Sequence, residues 1–154
     1  MLKTHKPLSH PIHKTYSKGL EAQVFLKDVL ENHIGFPLTP TTVETDTMDF
    51  DSQSYCVELK RRLKYSITDW FIQRDGLLIP AVKILRAYEE QEKGKNTRFY
   101  TYFDSDKSLW YWDFTEQDLQ GVVVKIPPWH QDKQPHYYLP VGLWRQVSHT
   151  LITP

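Results

Sequence analysis

Asp49, Glu58 and Lys60 have the types and the spacing to act on one another. From Tyr55 to Lys60 the chain alternates. Tyr55, Val57 and Leu59 take one side and Cys56, Glu58 and Lys60 the other, as a strand with a packed face requires. The β-branched, threonine-rich run from Val43 to Phe50 predicts a partner strand, and the polar residues Asp51 to Ser54 predict the turn between them. A loop of Asp51 to Ser54 pairs Asp49 with Cys56, and another register of the same parity pairs it with Glu58. Both put Asp49 on the face of Glu58 and Lys60. Like charges opposed across a strand pair cost roughly 0.2–1 kcal/mol, so a clustered Asp and Glu want a cation. Lys60 supplies one positive charge, and a divalent metal would supply more. An amphipathic hairpin with ordinary solvated charges on its outer face fits the same pattern.

Other elements must hold this hairpin. Ser17 can cap a helix running to about Asn32 or His33, with Ala22, Phe25, Leu26, Val29 and Leu30 as its buried stripe. Residues 34–40 end that helix and lead into one or two short strands before Asp49. Pro80 suits the first turn of a second helix, in which Ala81, Ile84, Leu85 and Tyr88 form the apolar stripe and Gly94 is the stop. Lys83 and Arg86 lie off that stripe. The runs 98–103 and 109–114 flank a polar turn at 104–108 as a second hairpin with aromatics on both faces. One face is expected to meet a helix and the other further strands or loops. Core packing is the expected use of Trp110, Tyr111 and Trp112, and base stacking is the other use of such a platform. The runs 121–126 and 137–141 read as further strands around a loop containing Pro and His. Asp46 and Asp51 are alternative carboxylates, but Asp46 has the opposite parity and Asp51 falls in the turn.

At 154 residues, 40% hydrophobic and 25% charged, the chain reads as a basic irregular arm (1–16) and a single domain (17–154) with enough length for a core. Nineteen basic and nineteen acidic residues cancel, so binding of nucleic acid would have to come from a local patch. One cysteine, Cys56, excludes an internal disulfide framework and a cysteine-rich zinc site, and fits a reducing, intracellular compartment. No apolar run has the length of a membrane span, and no signal peptide is evident. His5, His10 and His13 invite a zinc reading, but two prolines and the absence of any acid leave nothing to preorganise them; a solvated or phosphate-contacting arm is preferred. No Gly-x-Ser-x-Gly elbow or His-Glu-x-x-His helix supports a different hydrolase.

The Asp49-Phe50 pair, followed nine residues after the acid by Glu58-Leu59-Lys60, resembles the PD-(D/E)XK nuclease superfamily. Met-Asp-Phe (48–50) with Val-Glu-Leu-Lys-Arg-Arg (57–62) is similar, more loosely, to small members from phages and large DNA viruses. Met48 stands where the superfamily's name has proline. The resemblance spans roughly residues 17 to 114. It implies an α/β, restriction-endonuclease-like αβββαβ core, a mixed sheet flanked by two helices, here with extra C-terminal strands. It also implies metal-dependent cleavage of phosphodiester bonds, in DNA ahead of RNA, with Mg²⁺ as cofactor and Mn²⁺ as a substitute. Asp49 and Glu58 would hold the metal, the Leu59 carbonyl would complete its shell, and Lys60 would act on the attacking water. Glu21 would assist from the first helix, although it also suits the dipole of that helix. Arg61, Arg62 and Lys64, with Arg74 or Lys83 loosely matched to an accessory lysine, would meet the phosphates. A homodimer would supply two sites for cutting two strands. A nuclease-fold module that binds nucleic acid or protein without cutting is the alternative.

Overall fold

The computed structural model describes residues 26–41, 48–74 (backbone alone at 71–74), 76–128, 133–148 and 152. The stretch before residue 26, which includes the basic arm, Glu21 and the expected start of the first helix, lies outside the described residues, as does Asp46.

The chain is a mixed α/β protein. Helix α1 covers 26–34. It is followed by β1 (Thr39–Pro40), β2 (Phe50–Asp51), β3 (Tyr55–Arg62), α2 (Ile67–Arg74), β4 (Leu77–Pro80), α3 (Ala81–Glu92), β5 (Asn96–Phe103) and β6 (Ser108–Asp113). Strands β7 (Val123–Lys125), β8 (His136–Leu139) and β9 (Arg145–Gln146) complete it. The main sheet has the order β1-β2-β3-β5-β6-β9. Strands β2 and β3 are antiparallel, with Phe50 opposite Val57 and Asp51 opposite Cys56. Strands β3 and β5 are parallel, from Tyr55 opposite Asn96 to Arg62 opposite Phe103. A parallel pair needs a crossover, and α2, β4 and α3 together form it.

The alternation read along β3 holds. Val57 and Leu59 enter a core with Leu26 and Leu30 of α1 and Tyr100 and Tyr102 of β5. Cys56 enters the other core, with Phe99, Trp112, Ile84 and Ala87 of α3, and Leu77, Ile79 and Leu139. Both faces of the main sheet are therefore covered. Trp112 is fully packed, stacked on Phe99 at 5.5 Å between ring centroids.

Two expectations are corrected and two features are added. The strands read over 121–126 and 137–141 fall at β7 and β8, which join β4 in a second sheet of order β4-β8-β7, while β9 extends the main sheet beside β6. Leu85 is 62% exposed, because α3 turns Ile84, Ala87 and Glu90 inward instead. Asp51 lies in β2, not in the turn. The segment 67–74, unassigned from sequence, is helix α2, whose start is a reciprocal capping pair: the Ser66 amide donates to Asp69 Oδ2 and the Asp69 amide to Ser66 Oγ.

Gly76 is required where the two β strands approach. Its φ is +132°, and a Cβ there would stand 2.5 Å from the Leu139 carbonyl oxygen. Among the described residues no helix is long and apolar enough to cross a membrane.

Candidate active site

The chain bends at Asp49. Met48 joins the core on the Cys56 side of the sheet, whereas Phe50 joins the other. Two residues apart in a regular strand would share a face, so the alternation breaks here. The Asp49 amide donates to the Val57 carbonyl, and Asp49 Oδ2 accepts from the Leu59 amide at 2.8 Å. Asp49 thus reaches the site from the edge of β3, just where pairing with β2 stops. In a strand the N–H and C=O of one residue point to the same edge, so the Leu59 carbonyl faces the Asp49 side as well.

The Asp49 and Glu58 carboxyls are within hydrogen-bonding reach of each other. Burial, opposed by the Leu59 amide, raises the Asp49 carboxyl above its ordinary value. Burial and the Asp49 charge push Glu58 up to about 8, against the pull of Lys83. One Glu58 oxygen, Oε2, lies 2.9 Å from Lys83 Nζ. The other, Oε1, is buried with no hydrogen-bond partner. An orphaned carboxylate oxygen beside a second acid suits a proton or a cation.

Lys60 reaches solvent. Desolvation of its surroundings and then the Arg62 charge nevertheless hold its ammonium below the ordinary value, against the Glu58 and Asp49 charges. Glu58, Lys60, Arg62 and Lys83 border one cleft of about 310 Å³. The Arg62 guanidinium lies 4.2 Å over the Trp70 ring and donates to the Leu78 carbonyl at 3.3 Å. Burial lowers it to about 10, still far above neutrality, so it stays charged.

Asp49, Glu58, Lys60, Lys83 and Arg62 are thus brought together, and the Leu59 backbone is beside them. Arg61 is not. It points to the opposite face and is forked onto Asp104, with both N–H···O distances 2.7 Å. Lys64 is exposed beyond the end of β3. The Arg74 side chain lies outside the described residues. Among the alternative acids, Asp51 is tied to Lys95.

Sequence reasoning missed three cleft residues: Trp70, His136 and Trp144. The Ser66-x-x-Asp69 capping pattern was a usable signal for the helix that carries Trp70. His136 and Trp144 reach the cleft by the pairing of β8 with β4 and by the turn at Val141–Leu143, which no local pattern announces.

The donors present fit a hard divalent cation: two carboxylates, one with a free buried oxygen, and a backbone carbonyl on the same edge. Among the described residues no group of three or more His, Cys, Asp or Glu side chains is gathered for a metal, so such a site would be completed by backbone and water. No protein-family model matches the chain, and no curated protein is significantly similar to it.

Proposed function

We propose that the chain is a divalent-metal-dependent nuclease, hydrolysing phosphodiester bonds in DNA ahead of RNA, with the restriction-endonuclease-like fold of the PD-(D/E)XK superfamily. The observation that carries this reading is that Glu58, with Asp49 beside it, borders one cleft together with Lys60, Lys83 and Arg62. The order helix, two short strands, β3, crossover helices and parallel β5 agrees with the plan that the resemblance implies.

Asp49, Glu58 and the Leu59 carbonyl would hold Mg²⁺, or Mn²⁺ in its place. The cation supplies Lewis acidity and neutralises phosphate charge. Lys60, with its ammonium depressed, hydrogen-bonds the attacking water and meets the charge that develops on phosphorus-bound oxygen. Lys83 and Arg62 offset the repulsion between the two acids and an incoming phosphodiester. As the water oxygen bonds to phosphorus its proton passes to solvent, one ester P–O bond breaks, and the leaving oxygen takes a proton from solvent.

A nuclease-fold module that binds without cutting is the second reading. The Lys83 ammonium on Glu58 favours it, since a fixed cation there can stand in for a metal. Cleavage of labelled linear, branched and single-stranded DNA and RNA, with Mg²⁺, with Mn²⁺ and with chelator, tests the two. Metal-dependent cutting by wild type and none by Glu58→Gln is expected. Cutting that survives in Glu58→Gln would remove the nuclease site from these residues.

A further inference from the structure

We infer that the cleft is a subsite for one unpaired nucleotide, so that the substrate is a single strand or a strand end and not the interior of a duplex. This rests on the nuclease reading above for the identity of the polymer, and on the cleft itself for its strandedness.

Glu58 does not face open solvent across a flat sheet. Glu58 is only 15% exposed at its side chain. The walls above it come from α2 through Trp70, from α3 through Lys83, and from the second sheet and the turn after it through Leu78, His136 and Trp144. A volume of about 310 Å³ stands at the low end of small-ligand pockets, room for one nucleotide and too little for a double helix. Phosphates of an intact duplex meet the rim. An unpaired nucleotide can enter without the unstacking and unpairing cost that a base inside a duplex would have to meet.

The lining has what such a guest needs. Arg62 is a cation with no carboxylate within ion-pair distance among the described residues, and its Nε is buried without a hydrogen-bond partner. A buried charge held without a counter-ion is costly to the fold, and a phosphate would satisfy it through the guanidinium fork. Trp144 is 5% exposed and its indole Nε1, a donor only, is likewise without a partner. His136 is fixed in orientation, since its Nδ1 donates to the Gln134 carbonyl at 2.9 Å. Two unmet donors and apolar indole walls together describe a place for a phosphate and a base edge.

The test is binding in the presence of chelator, read by calorimetry and by tryptophan emission. The probe is a 5′-phosphorylated DNA trinucleotide, compared with its RNA counterpart and with a blunt duplex carrying the same sequence internally. Wild type is expected to bind a trinucleotide more tightly than the duplex, with a change in emission, and Arg62→Met to weaken that binding about tenfold or more. Methionine keeps much of the volume and removes a buried charge, so the fold should persist. Trp144→Phe, which removes the donor and part of the ring but keeps an aromatic wall, is expected to weaken binding several-fold and serves if Arg62→Met does not fold. Duplex binding tighter than trinucleotide binding, or equal binding by the folded variants, would overturn the inference. Efficient cutting within the duplex interior would overturn it while leaving the nuclease reading intact. Arg62-dependent trinucleotide binding without cutting of any substrate would sustain the subsite and remove the nuclease.

Discussion

Lys83 Nζ stands 2.9 Å from Glu58 Oε2, in the position where one ligand oxygen of a divalent cation would otherwise be fully available. The first turn of α3 therefore sets how easily the acid pair accepts a metal. Lys83→Met removes the competing ammonium. Mn²⁺ affinity is expected to rise several-fold, in keeping with about 1 kcal/mol for a partly exposed ion pair, while cleavage falls because a phosphate contact is lost. Unchanged Mn²⁺ affinity by calorimetry would show that Lys83 does not compete.

Asp49 and Lys60 are expected to fail in different ways. Asp49→Asn weakens metal binding, because it removes a carboxylate that the Leu59 amide orients. Lys60→Ala leaves metal affinity within about threefold but lowers kcat by about 10²-fold or more, as loss of a transition-state contact does. Equal loss of metal binding in both variants would contradict the separate roles.

The pH dependence follows from the acid pair. Glu58 is pushed up to about 8 from an ordinary 4.5, so over that interval the folded state holds a proton that the unfolded state has released. The stability it contributes is complete below the ordinary carboxylate range and lost as pH rises through about 8. Metal must displace that proton, so the gain in Tm on adding Mg²⁺ is expected to be larger at about pH 9 than at about pH 6. A gain independent of pH would exclude Glu58 as a ligand.

Arg61 provides the control. Its fork onto Asp104 lies on the far face of β3, so Arg61→Gln is expected to cost about 1 kcal/mol of stability with cleavage unchanged. A loss of cleavage in a folded Arg61→Gln protein would place the substrate on the wrong side of the sheet.

Gly76→Ala is expected to destabilise by about 2 kcal/mol or more, since the new methyl would meet the Leu139 carbonyl at a backbone φ that alanine resists. Urea unfolding would measure it. A neutral result would mean that β4 and β8 can part without cost.

The parity of β3, the second hairpin and the extent of α3 were legible because each rests on neighbours within one element. The meeting of Asp49 and Glu58 was legible too, but its geometry was not: the bend at Asp49 sends Met48 and Phe50 to different cores. Leu85 shows the same limit. Helical spacing admits two overlapping stripes, and the buried Glu90, bonded to Arg86, Lys93 and Cys56, belongs to the one that hydropathy alone would reject. The second sheet depends on contacts between residues far apart in the chain, and the cleft walls went unseen with it.

The parallel pairing of β3 with β5 also fixes an order of assembly. Strand β3 meets β2 a few residues away, but it meets β5 only after α2, β4 and α3 have been threaded between them, and distant closures are slower. In pulsed hydrogen exchange during refolding, the Asp49 amide, bonded to the Val57 carbonyl, is expected to be protected before the Asn96 amide, bonded to the Ser54 carbonyl; the reverse order would contradict it. A chain leaving the ribosome would thus carry its acid pair before it has Lys83, and both before it has Trp144. On the nuclease reading, a chain in which β3 has formed but α3 has not docked carries the acid pair without the Lys83 ammonium that offsets its charge.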